Sequence, residues 1–150
     1  MKYPGCVMEF VNARNEEIMQ AYHRIISSVP FIIRSDVMEL IAESPASRFW
    51  VSEERAAFVV KAMLAGRPMP RMRETKKEMF DEIFRRFLIE REKRPQASVP
   101  ELISIVIHQP APKFYLTPRT IGEFIHRIKK GWYNKQHVRY RDFEVTTDEV

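Results

Sequence analysis

The chain has 150 residues, with 25 Lys and Arg against 20 Asp and Glu, 45% hydrophobic residues, 11% aromatics and one cysteine. That balance suits a single compact domain with a core of its own and excludes both wholesale disorder and a disulfide scaffold. The longest apolar runs, Val29 to Ile33 and Leu102 to Ile107, fall far short of the roughly 20 residues that cross a bilayer, so no membrane partner is expected.

At the start of the chain, Met1 to Phe10 carries no apolar leader with a small-residue cleavage site, and Cys6 has no second cysteine to pair with. Both features point to the reducing cytoplasm. From Arg14 to Ile26 the apolar residues Ile18, Tyr22, Ile25 and Ile26 recur with helical period. Ser35 and Asp36 open a short second helix that runs to about Glu43 and stops at Pro45. Ser52, followed by Glu53 and Glu54, starts a third that stops near Gly66. A basic connector, 67–74, follows. Thr75 and Glu78 read as a capping box for a long helix with Met79, Phe80, Ile83, Phe84, Phe87 and Leu88 on one stripe, ending near Pro95. Ser98 and Glu101 form a second capping box ahead of Leu102, Ile103, Ile105 and Val106. Thr117 and Pro118 begin the last helix, with Ile121, Phe124, Ile125 and Ile128 on one side and Gly131 as its stop. Residues 132–150 read as a polar tail.

Laid over itself with a shift of 65 residues, the chain matches without a gap from Asp36–Gly66 to Glu101–Gly131. The centre of the match is a loop, in which Pro45, Ala46, Arg48, Phe49, Trp50, Val51 and Ser52 fall on Pro110, Ala111, Lys113, Phe114, Tyr115, Leu116 and Thr117. Agreement of loop chemistry, start signals, stop signals and helical phase points to a tandem duplication. The expected fold is therefore all-α: two copies of a three-helix unit, about 14–66 and about 75–131, six main helices packed around a pseudo-twofold axis within one domain. Phe49-Trp50-Val51 and Phe114-Tyr115-Leu116 have the strand propensity to pair as a short two-stranded link between the copies.

Charge concentrates in the second copy. Between Lys113 and Arg141 stand eight bases, Lys113, Arg119, Arg127, Lys129, Lys130, Lys135, Arg139 and Arg141, against the single acid Glu123, whereas Asp142, Glu144, Asp148 and Glu149 reverse the sign at the end. Arg119, His126 and Lys130 line up on the helix away from its apolar stripe, a face suited to phosphate. Ser98 to Lys130 resembles a helix-turn-helix reader, although the connection from about Gln109 to Leu116 exceeds the usual turn of about 3–4 residues.

No catalytic or metal motif is present: His23, His108, His126 and His137 lack ligand spacing, and with only 4 Gly there is no phosphate-cradling loop. Neither repeated loop holds a carboxylate between its Pro and its hydroxyl cap, which excludes a calcium cage. No cofactor is expected and no enzymatic activity. His108 reads as a histidine at the edge of the core. The leading expectation is a small non-enzymatic nucleic-acid-binding protein, DNA ahead of RNA, using Lys113, Arg119, His126, Arg127, Lys129, Lys130, Lys135 and Arg139. The alternative is a helical protein-interaction or assembly module, with a protein partner or a second copy as ligand and the charge serving solubility.

Overall fold

Six helices account for most of the computed structural model, which describes residues 10–28 and 34–131. They are α1 (Val11–Ser28), α2 (Arg34–Ala42), α3 (Glu53–Leu64), α4 (Glu74–Lys93), α5 (Val99–Ile107) and α6 (Pro118–Lys129), with no strand among the described residues. The all-α expectation holds. Residues 132–150, which include Lys135 and Arg139, lie outside the described residues.

The helix ends follow from side-chain chemistry. Ser52 caps α3, its hydroxyl accepting from the Arg55 amide at 3.1 Å, with Glu53 and Glu54 in the first turn where negative charge opposes the helix dipole. At α5 the capping box is complete, because the Ser98 hydroxyl accepts from the Glu101 amide while the Glu101 carboxylate accepts from the Ser98 amide. Those donors hold the Glu101 carboxyl below its ordinary value, the Ser98 amide first and its hydroxyl second. Pro118, which has no amide to satisfy, occupies the first position of α6.

Two expected caps are displaced. The long helix begins at Glu74 with Arg73 as its cap residue and no side-chain cap bond, so Thr75 lies inside the first turn and its box with Glu78 does not form. Backbone supplies the start instead, Arg73 carbonyl accepting from the Lys76 and Lys77 amides at 3.0 Å each. Ser35 likewise sits inside α2, which already begins at Arg34.

At its other end α3 closes in a Schellman turn. The Arg67 amide donates to the Ala62 carbonyl at 2.9 Å and the Gly66 amide to Met63 at 3.1 Å, with Gly66 at φ 69°. Gly131, the residue 65 positions on, ends α6 at φ 74° with the matching bond to Ile128. Gly66→Ala is expected to lower stability by about 1–2 kcal/mol, because a Cβ disfavours the left-handed region; a urea midpoint unchanged from wild type would contradict this.

The chain forms two compact units: Met1–Ile41 with Pro118–Val150, and Ala42–Thr117. The first holds α1, all but the last residue of α2, and α6; the second holds α3, α4 and α5. In the first unit Ile18, Val37, Ile41, Ile121 and Ile125 form the dry interior. Two cation–π contacts fasten α6 to α1. The buried Arg14 guanidinium lies 4.1 Å from the Phe124 ring centroid, held flat by two hydrogen bonds to Asn15 Oδ1. The Lys129 ammonium lies 4.7 Å from the Tyr22 ring and donates to its hydroxyl at 3.1 Å.

In the second unit the stripe predicted for the long helix is the buried one: Met79, Phe80, Ile83 and Phe87 pack with Leu102, Ile103, Val106 and Ile107 of α5 and Val59 and Val60 of α3. The loops at 45–52 and 110–117 meet here. Ala46 and Ala111 exchange amide-to-carbonyl bonds at 3.0 and 2.9 Å, a single antiparallel bridge. The expected pairing of Phe49-Trp50-Val51 with Phe114-Tyr115-Leu116 is not seen, for two reasons. The Phe49 amide donates to the Ile107 carbonyl at 2.9 Å rather than to the other loop, and Tyr115 adopts φ 59°, which breaks an extended run.

Candidate functional site

In the first unit an open cleft of about 850 Å³ runs between α2 and α6. Its α6 wall follows from helical geometry: at about 100° per residue, Arg119, Gly122, Glu123, His126 and Arg127 fall within an arc of roughly 140°, opposite Ile121, Ile125 and Ile128. The apolar side of α6 is consumed by its own core, so its polar side is left to the cleft. The α2 wall carries Arg34, Ser35 and Glu39, and Met38 reaches under Gly122.

Three guanidinium groups, Arg34, Arg119 and Arg127, therefore line one concavity against two carboxylates, Glu39 and Glu123, with His126 beside them. Arg119 is almost fully solvated and its ion pair with Glu123, at 3.5 Å, is a loose contact along one helix face. Such pairs contribute about 0–1 kcal/mol, so a stronger anion can displace the carboxylate. Arginine is suited to that exchange, since its planar fork takes two oxygens of a phosphate or carboxylate at once.

Gly122 is an unusual choice for the middle of a helix, where glycine is about 1 kcal/mol less favourable than alanine. Packing does not demand it. A Cβ built there would meet Met38 Sδ at 3.7 Å and Cγ at 3.8 Å, both ordinary van der Waals distances. Gly122→Ala is thus expected to stabilise the protein by about 1 kcal/mol, read as a higher urea midpoint; a loss of stability would show that α2 and α6 are packed more tightly than these distances allow.

Of the residues singled out from sequence, Arg119, His126 and Arg127 share the cleft. Lys129 instead turns to Tyr22 on α1, and Lys130 sits exposed in the turn that ends α6. Lys113 belongs to the other unit, where its ammonium pairs with Glu78 at 3.6 Å and lies 5.7 Å from the Tyr115 ring centroid. Lys135 and Arg139 lie outside the described residues. Arg34, which sequence reading passed over, is 85 positions before Arg119 and carries no motif; only the folded chain brings it to α6.

The surroundings of Lys113 explain why its charge is engaged in structure. Glu82 accepts from Arg85 at 2.6 Å and from Arg86 at 2.7 Å. The Arg85 bond is the largest influence and, with Arg86, holds the Glu82 carboxyl below its ordinary value against an opposing effect of burial. Arg86 also donates to the Pro110 carbonyl at 2.8 Å and lies over the Phe49 ring at 5.0 Å, binding α4 to the 45–52 and 110–117 loops. Burial pushes the Tyr115 hydroxyl above its ordinary value, and the Glu82 charge adds to the shift. His108 is exposed rather than at the core edge: as the cap residue of α5 its Nδ1 donates to the Ser104 carbonyl at 2.8 Å, which leaves Nε2 to accept from Arg48 at 3.2 Å.

Among the described residues no three His, Cys, Asp or Glu side chains come together as a metal site, and no helix is long and apolar enough to cross a membrane. No family model, curated protein or solved structure matches this chain.

Proposed function

We propose that the protein binds nucleic acid without catalysis, holding the phosphate backbone with the arginines of the α2–α6 cleft. The observation that carries this reading is the convergence of Arg34 from one helix with Arg119 and Arg127 from another on one open concavity. Two helices that place guanidinium groups on facing walls create a run of positive potential that a solvated surface helix alone does not. Among the described residues, exposed apolar side chains lend the interaction-module reading no comparable support. Leu40, Phe58 and Ile89 stand on three different helices, and Leu64 lies about 120° around α3 from Phe58.

The internal duplication is part of the same proposal. It is supported by the bridge between Ala46 and Ala111 and by the left-handed Gly66 and Gly131, both pairs of positions 65 residues apart. On that reading each compact unit combines the first two helices of one copy with the third helix of the other. The cleft then belongs to one unit alone, because the positions matching Arg119 and His126 are Glu54 and Lys61.

The direct test is fluorescence anisotropy with labelled oligonucleotides over a salt series. Three or more phosphate contacts predict a log–log slope of affinity on salt of about −2 or steeper. A flat salt dependence, or no binding at low salt, would overturn the reading.

A further inference from the structure

Resting on the phosphate-binding reading, we infer that the cleft takes a single nucleic-acid strand rather than a duplex. The reason is the position of α2. A helix that reads duplex DNA must enter a major groove about 12 Å wide, and one helix with its side chains is already about 10–12 Å across. The charged face of α6 does not stand clear in this way: Arg34, Met38 and Glu39 of α2 line the same cleft. The face that carries Arg119 and Arg127 is thereby one wall of a recess, and two helices abreast exceed the groove. A lone phosphodiester strand meets no such limit. It lies along the recess, with guanidinium groups on either side.

Gly122 gives the strand its approach. The absence of a side chain opens the middle of the α6 wall, above the soft thioether of Met38. The α6 wall from Pro118 to Arg127 spans about 14 Å, room for a short run of phosphates along one strand. Among the described residues the cleft is lined by no Phe, Tyr or Trp, and His126 is its one aromatic ring, so stacking on bases contributes little and the grip is on backbone. Binding is consequently tolerant of sequence, with affinities for oligo-dT and oligo-dA that agree within a few-fold.

The test compares labelled oligo-dT, oligo-dA and a duplex of equal length at about 50 mM salt, where backbone binding is strong, using wild type and Gly122→Leu. Wild type is expected to bind both single strands about tenfold or more tighter than the duplex. Gly122→Leu, which fills the recess without altering charge, is expected to lose a similar factor. A duplex that binds as tightly as the strands, or a folded Gly122→Leu with undiminished strand binding, overturns this inference and leaves the phosphate reading standing. No binding to any of the three probes overturns the phosphate reading itself. If the Leu variant does not fold, the strand-to-duplex ratio of wild type decides the matter alone.

Discussion

Phe49→Ala is expected to destabilise the protein by about 3–5 kcal/mol, near the upper end for a single core truncation. Phe49 is 1% exposed, and its ring and backbone together serve three neighbours. It stacks on Tyr115 at 6.0 Å between centroids, carries the Arg86 guanidinium at 5.0 Å, and follows an amide that donates to the Ile107 carbonyl at the end of α5. Truncation leaves a cavity against Tyr115 of the neighbouring 110–117 loop, which is already held at a positive φ. Arg86 loses its ring but keeps Glu82 and the Pro110 carbonyl, so its charge remains paired. Urea unfolding reads the effect; a loss of less than about 1 kcal/mol would mean that the loop refills the space and does not organise the second unit.

Replacing Arg34, Arg119 and Arg127 together by alanine is expected to weaken binding of a single strand about 100-fold at 0.1 M salt and to reduce the salt slope by about 2. The magnitude follows from counterion release, at about 0.7 per phosphate contact on a single strand and one decade of salt below 1 M. Arg119 contributes little to any change in stability. The Arg119 side chain is 89% exposed and its pair with Glu123 is a surface contact. Anisotropy on the variant, with its thermal transition measured alongside, separates the two effects. Binding within about threefold of wild type, with an unchanged slope, would move the footprint away from the cleft.

The helices were readable from sequence because each carries its own local signals. Ile18, Ile83 and Ile121 each sit on a periodic apolar stripe, and Ser52, Ser98, Gly66 and Gly131 mark ends through chemistry confined to a few residues. The start of α4 was not readable in this way, because the Arg73 carbonyl supplies what the Thr75 hydroxyl was expected to supply. Strand propensity at Phe49 and Tyr115 was real but lost to context. One amide was taken by α5 and the other residue adopts a left-handed φ.

The cleft was half legible for a similar reason. Arg119, His126 and Arg127 share a face of one helix, which helical period reveals. Arg34 joins them only through packing between elements distant in sequence, and no periodicity encodes that. Lys113 and Lys129 show the converse: sequence counts them as basic, whereas Glu78 and Tyr22 engage them. Charge runs locate positive residues without telling which are committed to structure.

The most direct measurement is an amide chemical-shift map of the full chain titrated with a short oligo-dT. The account predicts that the largest shifts fall on residues 34–39 and 118–127, the two walls of the cleft, with α3, α4 and α5 close to their free positions. Shifts centred on α3 to α5, or a spectrum that does not change, would contradict it.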